Sequence, residues 1–216
     1  LGSVLGMREG DIRLIKPFMG AGHCSKHEAL AHHFCAAMLS QKTGRPVKIE
    51  LSREEVFTIH RAALKAIIEI KTGVKKDGTF IAKQCKLLAD MGAYKGMGPV
   101  CLYLTGAFLD MPYRIPNLKY DGYFIYTNNA PMPGLQRGSG VLTIRAADDS
   151  HIDMVAEDIG IDPAEIRLKN ALKTGDTTIM GFKIKSGGLS ECIQKVTAST
   201  QWKEKREKTN KYSGIG

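Results

Sequence analysis

Ala66-Ile67-Ile68-Glu69-Ile70-Lys71-Thr72-Gly73-Val74, the tetrapeptide Lys75-Lys76-Asp77-Gly78 and residues 79–90 read together as a β-hairpin. The flanks are rich in Ile, Val and Thr. Asp-Gly between them supplies a residue that tolerates the left-handed backbone of a tight turn. Upstream, residues 1–7 read as the end of a helix and residues 11–17 as a short strand. A helix is expected over residues 26–42, stopped by Gly44 and Pro46. Val47, Ile49 and Leu51 alternate as in a strand, and Ser52-Arg53-Glu54-Glu55 has the spacing of a capping box. Downstream, residues 100–109 read as helix, Pro112 and Pro116 break the chain, and residues 118–127 read as strand. A helix is expected over residues 143–159. Another starts at Asp162-Pro163, with Asp as N-cap and Pro at the first helical position, and runs to Asn170. A last helix begins near residues 186–190 and runs past Trp202. Irregular alternation of strands and helices indicates an α+β or mixed α/β fold.

The chain has 216 residues, 43% of them hydrophobic, which suits a packed core rather than disorder. No run approaches the length of a transmembrane helix, and residues 1–10 lack the pattern of a signal peptide. The absence of an initiator Met points to a processed or cut start. The net charge is +9, but basic residues are interleaved with acids, as in Lys203-Glu204-Lys205-Arg206-Glu207-Lys208. That is the pattern of a solvated face and argues against nucleic-acid binding. Cys24, Cys35, Cys85, Cys101 and Cys192 are widely spaced with no Cys-x-x-Cys, so no iron–sulfur cluster or zinc ribbon has its ligands here. Free thiols and a cytoplasmic location are expected.

Two loops have the composition for chemistry. Gly20-Ala21-Gly22-His23-Cys24-Ser25 stands between an expected strand and an expected helix, where unpaired helix amides would favour an anion; a plain turn is the simpler alternative. Pro131-Met132-Pro133-Gly134-Leu135-Gln136-Arg137-Gly138-Ser139-Gly140 surrounds an arginine with glycine, and the guanidinium either holds a phosphate or ties down the loop. His23, Cys24, His27, His32, His33 and Cys35 also form a conceivable zinc set, although His32 and His33 point to different sides of a helix. His60 and His151 stand alone and read as structural or solvated. No Ser–His–Asp or Cys–His arrangement is apparent.

Taken in order, these segments resemble the molybdopterin-binding subunit of the xanthine dehydrogenase/aldehyde oxidase family. Gly20-Ala21-Gly22-His23-Cys24-Ser25-Lys26 stands where that family has Gly-Gly-Gly-Phe-Gly-Gly-Lys. Lys42-Thr43-Gly44-Arg45-Pro46-Val47, Asp90-Met91-Gly92-Ala93-Tyr94, Pro112-Tyr113-Arg114-Ile115-Pro116-Asn117 and Tyr126-Thr127-Asn128-Asn129 are similar to family motifs. Leu135-Gln136-Arg137-Gly138-Ser139-Gly140 stands for Ala-Phe-Arg-Gly-Phe-Gly, and residues 160–170 match closely.

The resemblance covers nearly the whole chain and implies an incomplete molybdopterin-binding domain over residues 1–216. It implies an oxidoreductase component that hydroxylates an aldehyde or an electron-poor aromatic or heterocyclic ring, with water as oxygen source. A related branch removes a hydroxyl reductively. Gly20, Gly22, His23, Cys24, Gln136, Arg137 and Gly138 would lie against the molybdenum-pterin cofactor, and His23, His27, Glu28 and Ser139 would meet the substrate. The family's carboxylate base and most pterin contacts lie in later segments, so the cofactor would be shared with a complementary chain or segment and the chain would be inactive alone. Iron–sulfur clusters and flavin would belong to other subunits. The alternatives are a degenerate, non-catalytic scaffold and the zinc site. Side chains at 21, 23, 24 and 25 in place of small residues would restrict backbone approach to the pterin. Gln136 and Ser139 would remove the aromatic frame of a flat substrate. Gly140-Val141-Leu142-Thr143 further replaces the family's Gly-x-Pro-Gln. An incomplete domain should also expose apolar surface and associate, with itself or with its complement.

Overall fold

The computed structural model describes residues 1–23, 26–130 and 134–208. Its helices are α1 (Gly2–Leu5), α2 (Ala31–Thr43), α3 (Arg53–Ile59), α4 (Gly98–Ala107), α5 (Val141–Asp158), α6 (Pro163–Asn170), α7 (Leu189–Ser199) and α8 (Trp202–Glu207). Three strands, β1 (Lys65–Val74), β2 (Phe80–Gly92) and β3 (Leu118–Tyr126), form one sheet in the order β1-β2-β3. The expected α+β class is therefore found. The chain forms two compact units. One holds Leu1–Lys65, Asp90–Cys101 and Phe124–Gly140; the other holds Ala66–Ala89, Leu102–Tyr123 and the chain from Val141 onward.

The second unit is built around the hairpin. Asp77 accepts from the Thr79 amide at 3.1 Å, and Gly78 takes φ +84° and donates to the Lys75 carbonyl at 2.8 Å. This is the turn that Asp-Gly predicts. β2 is the central strand, and its residues alternate between buried and more exposed positions. Lys83 N–H donates to the Asn117 carbonyl at the start of β3, and Thr127 N–H to the Gly92 carbonyl at its end, so β2 and β3 run parallel. α4 is the crossover between them. Gly106 brings this helix against β3, because a Cβ there would lie 2.5 Å from the Tyr120 ring. One core cluster packs Phe80, Tyr113 and Ile115 with Ile152, Val155 and Ala156 of α5 and Ile166 of α6. A second joins Cys85, Leu109 and Ile144.

Two polar clamps cross this core. Lys83 and Asp148 are both fully buried and paired, and the other Asp148 oxygen lies 3.1 Å from Arg145 Nη2. Burial draws the Lys83 pKa down and the Asp148 charge opposes that shift. Asn170, at the end of α6, is fully used. It accepts from the Phe80 amide at 2.9 Å and donates to the Gly78 and Ile166 carbonyls at 2.8 Å each. The helix thereby holds the hairpin turn.

Several expected elements shift. The strand expected over residues 11–17 is absent: Asp11 ends a 3-10 turn (Glu9–Asp11), Ile12 is extended, and residues 12–19 belong to no helix or strand. Residues 47–51 are likewise no strand. Both patterns carry strand-like side chains, but a strand needs a neighbour for its backbone, and neither finds one among the described residues. The helix expected from residue 26 starts at Ala31. The last helix is divided at Gln201, whose φ is +54°, into α7 and α8. The caps at Ser52 and Asp162 form as read, Ser52 accepting from Glu55 N and Asp162 from the Ala164 and Glu165 amides.

Replacing Asn170 with Leu keeps the volume and abandons three buried backbone groups. It should lower the free energy of unfolding by about 2–4 kcal/mol. Urea midpoints at constant slope measure this; a loss near zero would show that the turn is held by packing alone.

Candidate functional site

Both glycine-rich loops belong to the first unit. In the first, Gly20 has φ +63° and an added Cβ there would meet nothing within 4 Å. Gly22 approaches the His27 ring, with Nε2 3.9 Å from where a Cβ would stand. His23 is exposed and takes φ +40°, a left-handed backbone unusual outside glycine. Lys26 Nζ donates to the Met19 and Ala21 carbonyls, folding back along the loop. Cys24 and Ser25 lie outside the described residues.

The expectation that helix amides aim directly at this loop is corrected. α2 begins at Ala31, and its entry is closed by the His33 ring, whose Nδ1 accepts from the Leu30 amide at 2.9 Å. What the loop offers is its own exposed backbone.

The second loop turns through three consecutive left-handed residues: Gly138 at φ +82°, Ser139 at +49° and Gly140 at +98°. Gln136, Arg137 and Gly138 are exposed, and Ser139 is half-buried. Arg137 makes no ion pair or hydrogen bond with the described residues. Among the described residues its guanidinium is tied to no partner, and a guanidinium in that state can meet an anion.

The flanks of the two loops are joined by residues that sequence reading passed over. Arg61 Nε donates to Glu28 Oε1 at 2.6 Å; the side chains are 12% and 21% exposed. The guanidinium also packs against Gly96, 3.4 Å from where a Cβ would stand. The next residue, Ala62, accepts through its carbonyl from the Gly134 amide at 2.7 Å. Glu28, expected to meet substrate, is thus half of an ion pair, and Arg61-Ala62 links it to the base of the second loop. No sequence motif marks Arg61.

His60 is not alone. Its ring meets His32 edge-on with centroids 5.8 Å apart, and His32 lies 4.1 Å from His33. The Nδ1 atoms of His32 and His60 are buried without a hydrogen-bond partner. Desolvation first, then the neighbouring imidazoles, lower both pKa values below the usual histidine range. His151 is structural, its Nε2 lying 3.1 Å from Thr72 Oγ1. Among the described residues no group of three or more His, Cys, Asp or Glu is arranged to hold a metal, and the conceivable zinc set finds no support there. Among the described residues Cys35, Cys85, Cys101 and Cys192 form no disulfide; Cys85 and Cys101 are buried, Cys35 and Cys192 exposed. No helix among the described residues is long and apolar enough to cross a membrane.

The family model of the molybdopterin cofactor-binding domain matches residues 1–171, a stretch that holds both loops. The chain belongs to this family. It is 34% identical over 215 residues to the xanthine dehydrogenase molybdenum-binding subunit of Escherichia coli O157:H7, covering 99% of this chain and 28% of that protein. It is 33% identical to the nicotinate dehydrogenase large molybdopterin subunit of Eubacterium barkeri, covering 89% of this chain and 45% of that one. The aldehyde oxidoreductase of Desulfovibrio gigas superposes with a TM-score of 0.78 at 29% identity, over 89% of this chain and 21% of the other. The chain therefore spans less than half the length of each of these relatives, and is a molybdenum hydroxylase family member covering part of the large subunit.

Protonating His32 or His60 is easier in the unfolded chain than in the fold, because their folded pKa values lie below the unfolded value of about 6.5. Their contribution to stability is complete above that value and is lost as pH falls below it. The urea midpoint should therefore drop between pH 7 and 5. In a His32→Phe/His60→Phe variant the drop should be shallower, His151 contributing equally to both proteins. Parallel curves would show that the cluster does not govern the acid limb.

Proposed function

We propose that this chain, residues 1–216, is one part of the molybdopterin-binding domain of a molybdenum hydroxylase, forming one wall of the cofactor site. The observation that best supports this reading is Arg137: exposed, with no ion pair or hydrogen bond to a described residue, and followed by three left-handed residues, of which Ser139 gives its amide to the Gln136 carbonyl while the Gly138 amide meets no described backbone group. A pterin cofactor bearing phosphate needs this combination of small residues, open amides and a guanidinium. Gly20 meets the same test, being exposed with open space where a Cβ would stand. The residues present therefore fit the group. Gly20, Gly22, His23 and Cys24 would hold it from the first loop; Gln136, Arg137 and Gly138 would hold it from the second. When bound, it supplies the redox centre that oxidises an aldehyde or an electron-poor aromatic or heterocyclic carbon, with oxygen from water.

The residues of this chain would bind and orient the substrate. His23, His27, Glu28 and Ser139 are the proposed contacts. Oε1 of Glu28 is taken by Arg61, so Oε2 is the atom that would accept a substrate hydrogen bond. On this reading, the part of the subunit that the matched relatives carry beyond this stretch would complete the site. Iron–sulfur and flavin carriers on other chains would take the electrons away. A reducing, cytoplasmic setting would suit cysteines that form no disulfide among the described residues. A second reading, a non-catalytic scaffold, draws on Gln136 and Ser139 standing where relatives of this type frame a flat substrate with aromatic rings.

The test is elemental analysis of the chain purified with the remainder of its subunit. One molybdenum per complex is expected, and Arg137→Ala should lower the content about tenfold through loss of a charge-assisted contact. An assembled complex that is free of molybdenum under conditions that load a known relative would sink the cofactor reading and favour the scaffold.

A further inference from the structure

Asp110 is a carboxylate that the fold buries without pairing it. The residue is 1% exposed, and its Oδ2 accepts from the Met180 amide at 3.2 Å. Oδ1 is buried with no hydrogen-bond partner, and Asp110 makes no ion pair among the described residues. Two arginines lie close in sequence or space, and both are committed elsewhere. Arg145 donates to the carbonyl of the preceding residue, Leu109, but its ion pair is with Asp148 at 3.1 Å. Arg114 is held by Asp176 at 3.3 Å. A carboxylate shielded from water is normally met by a cation or by several donors, because its desolvation is otherwise uncompensated. Asp110 also lies in the wall of a cavity of about 270 Å³. Both sides of this cavity are pinned. Arg114 N–H donates to the Asn170 carbonyl at 2.7 Å and Leu172 N–H to the Pro112 carbonyl at 3.0 Å. Thr178 N–H donates to the Phe182 carbonyl and Gly181 N–H to the Thr178 carbonyl, and the Met180 amide ties this turn to Asp110. Of the lining residues, Asp110, Ile115, Leu172 and Thr178 are buried, while Thr177 and Ile179 are exposed. The cavity therefore has a buried floor with one acid, and a rim open to solvent.

We infer that this cavity binds a small primary ammonium group carried on an aliphatic body, with Asp110 as its counter-ion. Three features select that chemistry. The first is sign: an unpaired buried carboxylate attracts a cation and repels an anion. The second is the number of donors. An ammonium offers three N–H groups, enough for the Asp110 carboxylate and for Thr178 Oγ1, which accepts from the Phe182 amide at 3.3 Å and keeps a second lone pair. A multivalent metal asks for more ligands than this. Asp110 is the one carboxylate in the lining, and among the described residues no group of three or more His, Cys, Asp or Glu is arranged to hold a metal. The third is the aliphatic wall. Ile115, Leu172 and Ile179 offer surface that a hydrated inorganic ion cannot use and that an alkyl chain would bury. The cavity volume lies just below the range of drug-sized pockets, which suits a ligand of a few carbons. Every lining residue belongs to the second unit, whereas both glycine-rich loops belong to the first, so the inference does not rest on the cofactor reading.

The experiment titrates the full chain with n-butylammonium chloride and follows its backbone amides by nuclear magnetic resonance. Its neutral counterpart n-butanol is run beside it, with potassium chloride and ammonium chloride at the same ionic strength. Butylammonium should give saturable shifts confined to residues 110–116 and 172–182, the Met180 and Thr178 amides among them. The dissociation constant should be of millimolar order, as befits a ligand of five heavy atoms. The urea midpoint of the chain should rise with butylammonium, since a ligand that binds only the folded state stabilises it. Asp110→Asn keeps the side-chain volume and an acceptor for the Met180 amide while removing the charge, and it should weaken binding about tenfold or more. If that variant does not fold, the comparison of butylammonium with butanol on the unaltered chain decides the matter, because only the charge differs. The inference is overturned if butanol shifts the same amides as strongly, which would make the cavity a plain apolar groove. It is overturned equally if potassium or ammonium chloride reproduces the shifts, if the saturable shifts fall only outside the two segments, or if Asp110→Asn binds as well as the unaltered chain.

Discussion

Arg61 holds Glu28 through a 2.6 Å contact, and its neighbour Ala62 holds Gly134 through a backbone hydrogen bond. Two residues thereby set the flanks of two loops that stand more than a hundred residues apart in sequence. The pair is mostly shielded from water, so neither charge can be given up cheaply. An exposed loop rich in glycine has many conformations available and loses them only if its ends are fixed. Here the fixing is done below the loops. Above that anchor the described contacts are local ones, Lys26 to the Met19 and Ala21 carbonyls in the first loop and Ser139 to Gln136 in the second.

The segments that resemble the family most closely are not the loops. They are the places where the fold is pinned. Asp90 accepts from the Gly92 amide, Thr127 Oγ1 and Asn129 Nδ2, joining the Asp90–Tyr94 and Tyr126–Asn129 motifs, and those hydrogen bonds lower its pKa. Asn117 gives its carbonyl to Lys83 and its side-chain amide to Ile81. Tyr113 reaches Asp149, and Asn170 clamps the hairpin turn. Each contact asks for one donor–acceptor geometry that few other side chains supply. That is why such residues mark a fold even where the glycine-rich loops differ from the resembled motifs.

What could be read from the sequence follows the range of the forces involved. The hairpin turn, the Ser52 and Asp162 caps and the α4, α5 and α6 segments depend on neighbours within a few residues, and they were read within two residues at most ends. Strand pairing depends on a partner, so Val47, Ile49 and Leu51 carry the right alternation without becoming a strand. The start of α2 was missed because Lys26 spends its side chain on loop carbonyls and because the entry cap is supplied by His33, an unusual capping residue. His60 and Arg61 were unreadable as site elements. Their partners, His32 and Glu28, lie about thirty residues away, and no local pattern links them.

His23 and Ser139 bear on what the altered loops retain. Both adopt positive φ, at a cost of about 1 kcal/mol for a residue with a Cβ. Both stand at positions where the resembled motifs carry phenylalanine, which also has a Cβ. The backbone path at these two positions is therefore compatible with either residue, and the changes alter the side chain that is presented more than the route of the chain. On the proposed reading, contacts made by amides and by Arg137 depend on that route and tolerate the changes. Contacts made by a ring stacked on a flat substrate depend on the side chain and do not. On that same reading, the side chains at 23, 136 and 139 bear on whatever lies beside the proposed cofactor site, while the backbone route through 23 and 139 bears on the cofactor contacts.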